Sequence, residues 1–260
     1  MSKISEIVNL KKHPFIKSND FVKSCRTRLV KNSILQLDNF LTAKCLLSIQ
    51  KEALKLKKNA FYCSQKHTIL LNKKNPKISN NDPINIEVIS DKGCVPHDLI
   101  PKNSLLNSLY KSIEFKKFLT KILEVKQIYP YKDKLSSINY NYYEKTQQLG
   151  WHFDNASFAI TLMIQSPTSG GVFEYTNKGR NYENNYINKK FISKIINGKI
   201  DIEKLNVKAG TLILFYGRNY LHRVTPVTSN KPRILITLNY NLEKGIELSK
   251  NARKTFFGRI

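Results

Sequence analysis

From about residue 136 the chain is cut into short segments: SSINYNYYE, SFAITLMI, GVFEYT, GTLILFY and RILITLNYN, each rich in Tyr, Ile, Phe and Thr and bounded by Gly, Pro or Asn. Residues of these types fit a pleated, half-buried surface, and the punctuation leaves no room for long helices between them. Several such strands in a row must bury their apolar sides against one another, which predicts a β-sandwich or barrel. Residues 178–207 break the series; within them Ile187, Phe191, Ile192, Ile195 and Ile196 mark a short amphipathic helix, an insert or a lid. The first 126 residues follow a different period. Leu41, Cys45, Leu46 and Ile49 fall at helical spacing in a stretch from Asp38 to about Lys57, and Leu105, Leu106, Leu109, Ile113, Phe118, Leu119, Ile122 and Leu123 do so between Asn103 and Glu124, as one helix or two. Residues 72–85, polar and rich in Pro and Asn, read as an exposed loop. No internal repeat is visible. The expectation is an α+β chain: a mainly helical region over 1–126 supporting a β-rich core over 127–260, in one integrated domain.

With 260 residues the chain can bury a core without disulfides. Its four cysteines, at 25, 45, 63 and 94, match no close-paired zinc pattern and are expected to be reduced structural thiols. No apolar run is long enough for a membrane helix, and the start MSKISEIVNLKKHPF lacks the apolar centre of a signal peptide, so a cytoplasmic protein is expected. The formal net charge is +25. Such a balance attracts anions, nucleic acid among them. Yet the lysines are dispersed, in company with Asn and Ile, rather than gathered into an arm, and no aromatic and basic platform for a flipped base is visible.

Two of the five histidines lie in the β-rich half. One is in Gly150-Trp151-His152-Phe153-Asp154, where residues two apart in extended chain share a face, so that His152 and Asp154 could present an imidazole and a carboxylate to one ion. The other is His222, 70 residues on, in Tyr220-Leu221-His222-Arg223-Val224. Two histidines and one carboxylate with open positions form the facial arrangement for non-haem iron(II). A lone His-x-Asp is a weak signal whose ordinary reading is a surface turn. A distal His followed eleven residues later by Arg233, at the start of the strand RILITLNYN, makes it much stronger, because an arginine there can pair bidentately with a carboxylate such as the far end of 2-oxoglutarate.

At these residues the sequence resembles the iron(II)- and 2-oxoglutarate-dependent oxygenases, whose fold is a double-stranded β-helix, or jelly roll. The resemblance covers roughly residues 136–259, in GWHFDNASFAITLMIQ, GGVFEY, AGTLILFYGRNYLHRVTPV, KPRILITLNY and the ending RKTFFGR. Within that superfamily it is similar to the group of radical halogenases and hydroxylases of free amino acids, the lysine-type enzymes prominent among them. The resemblance implies that His152, Asp154 and His222 ligate iron(II), that Arg233 binds 2-oxoglutarate, and that dioxygen is the second co-substrate. Halogenases of the group carry Gly or Ala in place of the metal carboxylate, which frees a position for chloride. Position 154 here is Asp, and a carboxylate and a halide would compete for that position, so hydroxylation is expected, with release of succinate and carbon dioxide.

The first jelly-roll strand in such proteins often contacts co-substrate or substrate, which makes Tyr142 and Asn139 candidates for the co-substrate site. Tyr140 and Tyr142 share one face and Asn139 points to the other; which face looks inward stays open. Candidate substrate contacts are Trp151 beside the first ligand, Asn155 just past it, and Thr237 and Asn239, which alternate with Arg233. The implied substrate is a free amino acid, lysine being one example, although Thr237, Asn239 and Leu149 do not map cleanly onto the polar surroundings of a cationic side chain. A prolyl-type protein hydroxylase is one alternative. A nucleic-acid demethylase is another; its second arginine, six residues after the first, is replaced here by Asn239. The non-enzymatic alternative is a jelly-roll binding protein.

Overall fold

In a computed structural model, residues 3–260 are described. One antiparallel sheet of eleven strands organises them. The amino-terminal region supplies three of these strands: β1 (Ile34–Leu37), β2 (Phe61–Thr68) and β3 (Glu87–Val95). The rest follow as β5 (Ile138–Tyr143), β6 (Leu149–His152), β7 (Ala159–Gln165), β8 (Phe173–Lys178), β11 (Glu203–Leu205), β12 (Leu212–Phe215), β13 (Tyr220–Val224) and β14 (Arg233–Leu238). Two small pairs complete the count, β4 (Tyr129–Pro130) with β15 (Tyr240–Asn241) and β9 (Arg180–Asn181) with β10 (Tyr186–Ile187). The order across the sheet is β1-β12-β7-β14-β5-β3-β6-β13-β8-β11, with β2 on β3. Residues of β12 and β8, each next to an end of this order, line a single cavity, so the sheet curls over on itself. This is the expected α+β jelly roll.

Among the described residues seven α-helices accompany the sheet: α1 (Ile4–Ile7), α2 (Asn19–Asn32), α3 (Ala43–Leu56), α4 (Leu105–Lys111), α5 (Ile113–Leu123), α6 (Lys189–Ile196) and α7 (Lys250–Phe257). The start of α3 is fixed by Thr42, whose hydroxyl accepts from the Cys45 amide (3.2 Å). The pattern between Asn103 and Glu124 resolves into α4 and α5 because Ser112 ends one and caps the other, its hydroxyl accepting from Phe115 N (3.1 Å). The expectation of helix does not extend to residues 61–95. Here β2 and β3 pair along their full lengths, and β3 also pairs with β5 and β6, joining the two halves of the curled sheet.

Alternation along the strands separates two apolar layers. Ile138, Tyr140 and Tyr142 of β5, Ile160, Leu162 and Ile164 of β7, Leu212 and Leu214 of β12, and Ile234, Ile236 and Leu238 of β14 face α3, α4 and α5 in the largest core. The opposite faces of the same strands look into the curl. Across the curl, Trp151, Phe153 and Leu221 turn outward and are covered by Ile192 and Ile195 of α6. Helix α6 of the segment 178–207 thus covers the outer wall, and none of the cavity's lining comes from that segment. The cover comes instead from α7, which supplies Asn251, Ala252, Thr255 and Phe256 to the lining.

Candidate metal centre and its cavity

His152 ends β6 and His222 sits in mid-β13, and the antiparallel register sets the two directly opposite one another. Their rings lie 4.1 Å apart between centroids. Asp154, two residues beyond the end of β6, swings its carboxylate between them: Oδ1 is 3.5 Å from His152 Nε2 and 3.6 Å from His222 Nε2. One ligand atom from each of the three residues falls within 4.8 Å of the others. That spacing lets all three reach one ion at the ~2 Å usual for imidazole and carboxylate ligands.

The ring orientations are set by the backbone. His152 Nδ1 lies 2.8 Å from the carbonyl of Gly150, and His222 Nδ1 lies 2.9 Å from the carbonyl of Tyr220. A carbonyl can only accept, so each Nδ1 carries the proton and each Nε2 lone pair is free for a metal. Burial, followed by the neighbouring His222, lowers the pKa of His152, which favours the neutral ring that ligates. Burial by itself would raise the Asp154 carboxyl; the two imidazoles, when they carry a second proton at Nε2, more than offset it and hold it well below the usual carboxylate range.

Two further features fit a bound cation. Asp154 Oδ2 is buried without a hydrogen-bond partner, a costly state for a carboxylate oxygen unless something positive meets it. Gly217 makes room for that oxygen: a Cβ at 217 would collide with Asp154 Oδ2 and stand 2.9 Å from His222 Cε1. The Gly217 carbonyl also accepts the Asp154 amide (3.0 Å), holding the loop in place.

A cavity of about 390 Å³ opens over these three residues. Arg233 projects into it from the start of β14, 2 % exposed, with Nε and Nη1 lacking any partner and the Tyr143 ring 5.3 Å from its guanidinium carbon. A buried guanidinium stays charged, so this arrangement calls for an anion. Thr237 and Asn155 also line the cavity.

Four expected site residues lie elsewhere. Tyr142 points to the helical side, where its hydroxyl donates to the Ala53 carbonyl (2.8 Å); β5 turns its other face, Asn141 and Tyr143, into the cavity. Asn139 shares that inward face but is absorbed beyond the cavity's end, donating to the Leu135 carbonyl (2.7 Å). Asn239 has left β14 and donates to the Ser136 carbonyl (2.6 Å) and to Asn139 Oδ1 (3.1 Å). Trp151 faces the outer wall, with Arg223 4.6 Å over its ring and α6 packed beside it. Sequence reasoning missed Lys92, Asn141, Tyr143, Gly217 and the residues of α7. For Asn141 and Tyr143 a signal was present, since the same strand offers both faces; Lys92 sits among 44 basic residues with nothing to single it out.

The sequence model of a family described as Halogenase D matches residues 17–257. No curated protein sequence matches the chain. Among solved structures the fold is similar to an oxidoreductase of the 2OG-Fe(II) oxygenase family from Burkholderia pseudomallei (TM-score 0.55, 14% identity, 87% of this chain and 93% of that one). It is also similar to the non-haem alpha-ketoglutarate-dependent epimerase SnoN from nogalamycin biosynthesis (TM-score 0.57, 9% identity, 86% and 83%). A prolyl-4-hydroxylase from Pseudomonas putida is a third (TM-score 0.51, 11% identity, 83% and 96%). At such identities the structures speak for the shared fold, whereas the sequence match spans nearly the whole chain: it belongs to the Halogenase D family.

Proposed function

We propose that the chain is an iron(II)- and 2-oxoglutarate-dependent dioxygenase that hydroxylates an unactivated C–H bond of a free amino acid. The observation that carries this reading is the convergence, in one cavity, of His152, Asp154 and His222 with the unpartnered Arg233. When bound, iron(II) supplies the activation of dioxygen, with 2-oxoglutarate as the two-electron co-reductant leaving as succinate and carbon dioxide. The protein's part is geometric. His152, Asp154 and His222 would hold the ion through two imidazole nitrogens and a carboxylate oxygen. Arg233 takes the far carboxylate of 2-oxoglutarate through charge-assisted hydrogen bonds, in a cavity whose apolar lining, Leu235, Phe173, Phe215 and Val224 among it, keeps water out.

Hydroxylation is favoured over halogenation by Asp154. Its Oδ1 sits between the imidazole nitrogens where a halide would have to bind, and Gly217 is shaped around the carboxylate. The four cysteines are unpaired, as suits a reducing, cytoplasmic setting, and no helix among the described residues is long and apolar enough to cross a membrane. A nucleic-acid demethylase is disfavoured: Asn239, in the position of that group's second arginine, is tied into a polar cluster outside the cavity.

Purified protein incubated with iron(II), 2-oxoglutarate and pooled free amino acids is expected to yield a product heavier by one oxygen atom together with matching succinate. Succinate release that no amino acid stimulates would overturn the substrate assignment.

A further inference from the structure

Asp154 lies past the end of β6, outside the ladder, so its carboxylate stands where the loop at 153–155 holds it. Two consecutive residues of the turn before β13 grip that loop on either side of Asp154. The Gly217 carbonyl accepts the Asp154 amide (3.0 Å), and the Asn155 carbonyl accepts from Arg218 twice, from Nε (3.1 Å) and from Nη2 (2.7 Å). A guanidinium fork closed on one carbonyl is a charge-assisted contact, stronger than a hydrogen bond between neutral groups. The same turn leads into His222, so the grip ties the carboxylate to one of the imidazoles.

Arg218 is itself held. Its guanidinium carbon lies 4.2 Å from the centre of the Tyr182 ring, in the turn between β9 and β10. Arg180 leans on the same ring (4.7 Å) and, at 5.7 Å, on Phe153, the residue between His152 and Asp154. The hairpin is bonded to the next residue along, Asn219: the amides of Gly179 and Arg180 donate to its carbonyl (3.1 Å each), and the Tyr182 amide donates to its side-chain oxygen (2.9 Å). Among the described residues the carboxylate that pairs with Arg218 is Glu183, at 4.0 Å and with its side chain 78 % exposed, a contact worth little. The guanidinium therefore serves the Asn155 carbonyl rather than an ion pair.

Resting on the functional reading above, we propose that Arg218 is a positioning residue for Asp154, and that the hairpin of β9 and β10 is its support. Gly217 leaves the carboxylate room, and Arg218 fixes the loop that aims it. Groups that hold a metal ligand from behind strengthen binding by setting its direction before the ion arrives. Neither Arg218 nor any residue of the hairpin lines the cavity, so their effect on the metal passes through the loop at 153–155. Residues 179–187 thereby take part in the site without touching it.

The test is anaerobic calorimetry of the full chain with iron(II) and then 2-oxoglutarate, repeated with nickel(II), which binds such ligands more tightly and keeps a two-histidine site measurable. A wild-type chain that binds neither metal would sink the functional reading itself, so the two failures are told apart. Arg218→Ala should raise the Kd of both metals about tenfold or more, with the 2-oxoglutarate Kd at saturating metal changed by less than about twofold. Arg218→Lys keeps the charge without the fork and should recover part of the loss. Tyr182→Ala should weaken the metal in the same direction by a smaller factor, and it stands in for Arg218→Ala if that variant does not fold. Glu183→Gln should stay within about twofold of wild type. The deciding comparison is made in an Asp154→Ala background, where Arg218→Ala should change the nickel(II) Kd by less than about twofold, because the carboxylate it positions is gone. A loss of about tenfold that persists there would mean a general loosening of the fold and would overturn the proposal. So would unchanged metal affinity in Arg218→Ala, or in Tyr182→Ala where it stands in, or an equal loss in Glu183→Gln.

Discussion

Asp154 and Gly217 form one unit at the residue scale. The carboxylate occupies the space that a Cβ at 217 would fill, so the two positions constrain each other. Asp154→Gly is expected to abolish hydroxylation, and chlorination is not expected to replace it without a pocket shaped for chloride; undiminished hydroxylation in that variant would remove Asp154 from the metal. Gly217→Ala should act in the same direction by displacing the carboxylate, weakening iron(II) affinity by about tenfold or more, in line with losses seen when groups supporting a metal ligand are changed. Calorimetric titration with iron(II) reads this directly, and unchanged affinity would mean the carboxylate is not needed where it stands. Arg233 belongs to the same scale. Removing a charge-assisted pair of roughly 1.5–3 kcal/mol, Arg233→Ala should raise the 2-oxoglutarate KM by about tenfold or more. Tyr142→Phe is the contrast. It loses only the hydrogen bond to the Ala53 carbonyl, so thermal unfolding should show a cost near 1 kcal/mol while the 2-oxoglutarate KM stays within twofold.

At the scale of the element, what could be read from the chain followed the strength of its period. The strand carrying Arg233 was legible because every second residue is apolar and the basic residue stands at its start; the register with β5 then brings Tyr143 beside it. The metal pair was legible because two residues apart on extended chain is a fixed geometry, even though Asp154 lies just past the strand's end. Strand β5 defeated the same reasoning: in INYNYY both faces carry polar aromatic or amide groups and all six residues are buried, so composition could not say that the Asn141–Tyr143 face, and not the Tyr140–Tyr142 face, looks inward. The hairpin of β2 and β3 was missed for a related reason. β2 pairs on one side alone and leaves Phe61 and the alternate residues Tyr62, Ser64 and Lys66 exposed, so FYCSQKHT carries no apolar stripe to betray it. Helix α6 shows the limit in the other direction: its amphipathic period was plain, but nothing local says which surface the apolar face meets. It meets Trp151, Phe153 and Leu221 on the outer wall. Ile192→Ala should therefore cost about 2–5 kcal/mol of stability, the usual range for emptying a buried aliphatic site, while leaving kinetic constants for 2-oxoglutarate nearly unchanged. A rise in KM as large as that of Arg233→Ala would instead make α6 part of the site.

For the whole molecule, the sheet is a device for bringing together groups that are far apart in sequence. β3 bridges the half that carries Arg233 to the half that carries the histidines, and α7, at the carboxy-terminal end, closes the space between them. The surplus of basic residues, +25 in formal charge, surrounds a cavity whose own lining holds Arg233 and Lys92 against one carboxylate, so the molecule's field and its site both favour anionic ligands. The most direct measurement is an anaerobic calorimetric titration of the purified chain, first with iron(II) and then with 2-oxoglutarate, alongside His152→Ala and His222→Ala. We predict one iron(II) per chain, 2-oxoglutarate binding that depends on the metal, and loss of both in either histidine variant. Iron(II) bound with full affinity after removal of either imidazole, or 2-oxoglutarate binding indifferent to the metal, would contradict the assignment of this cavity.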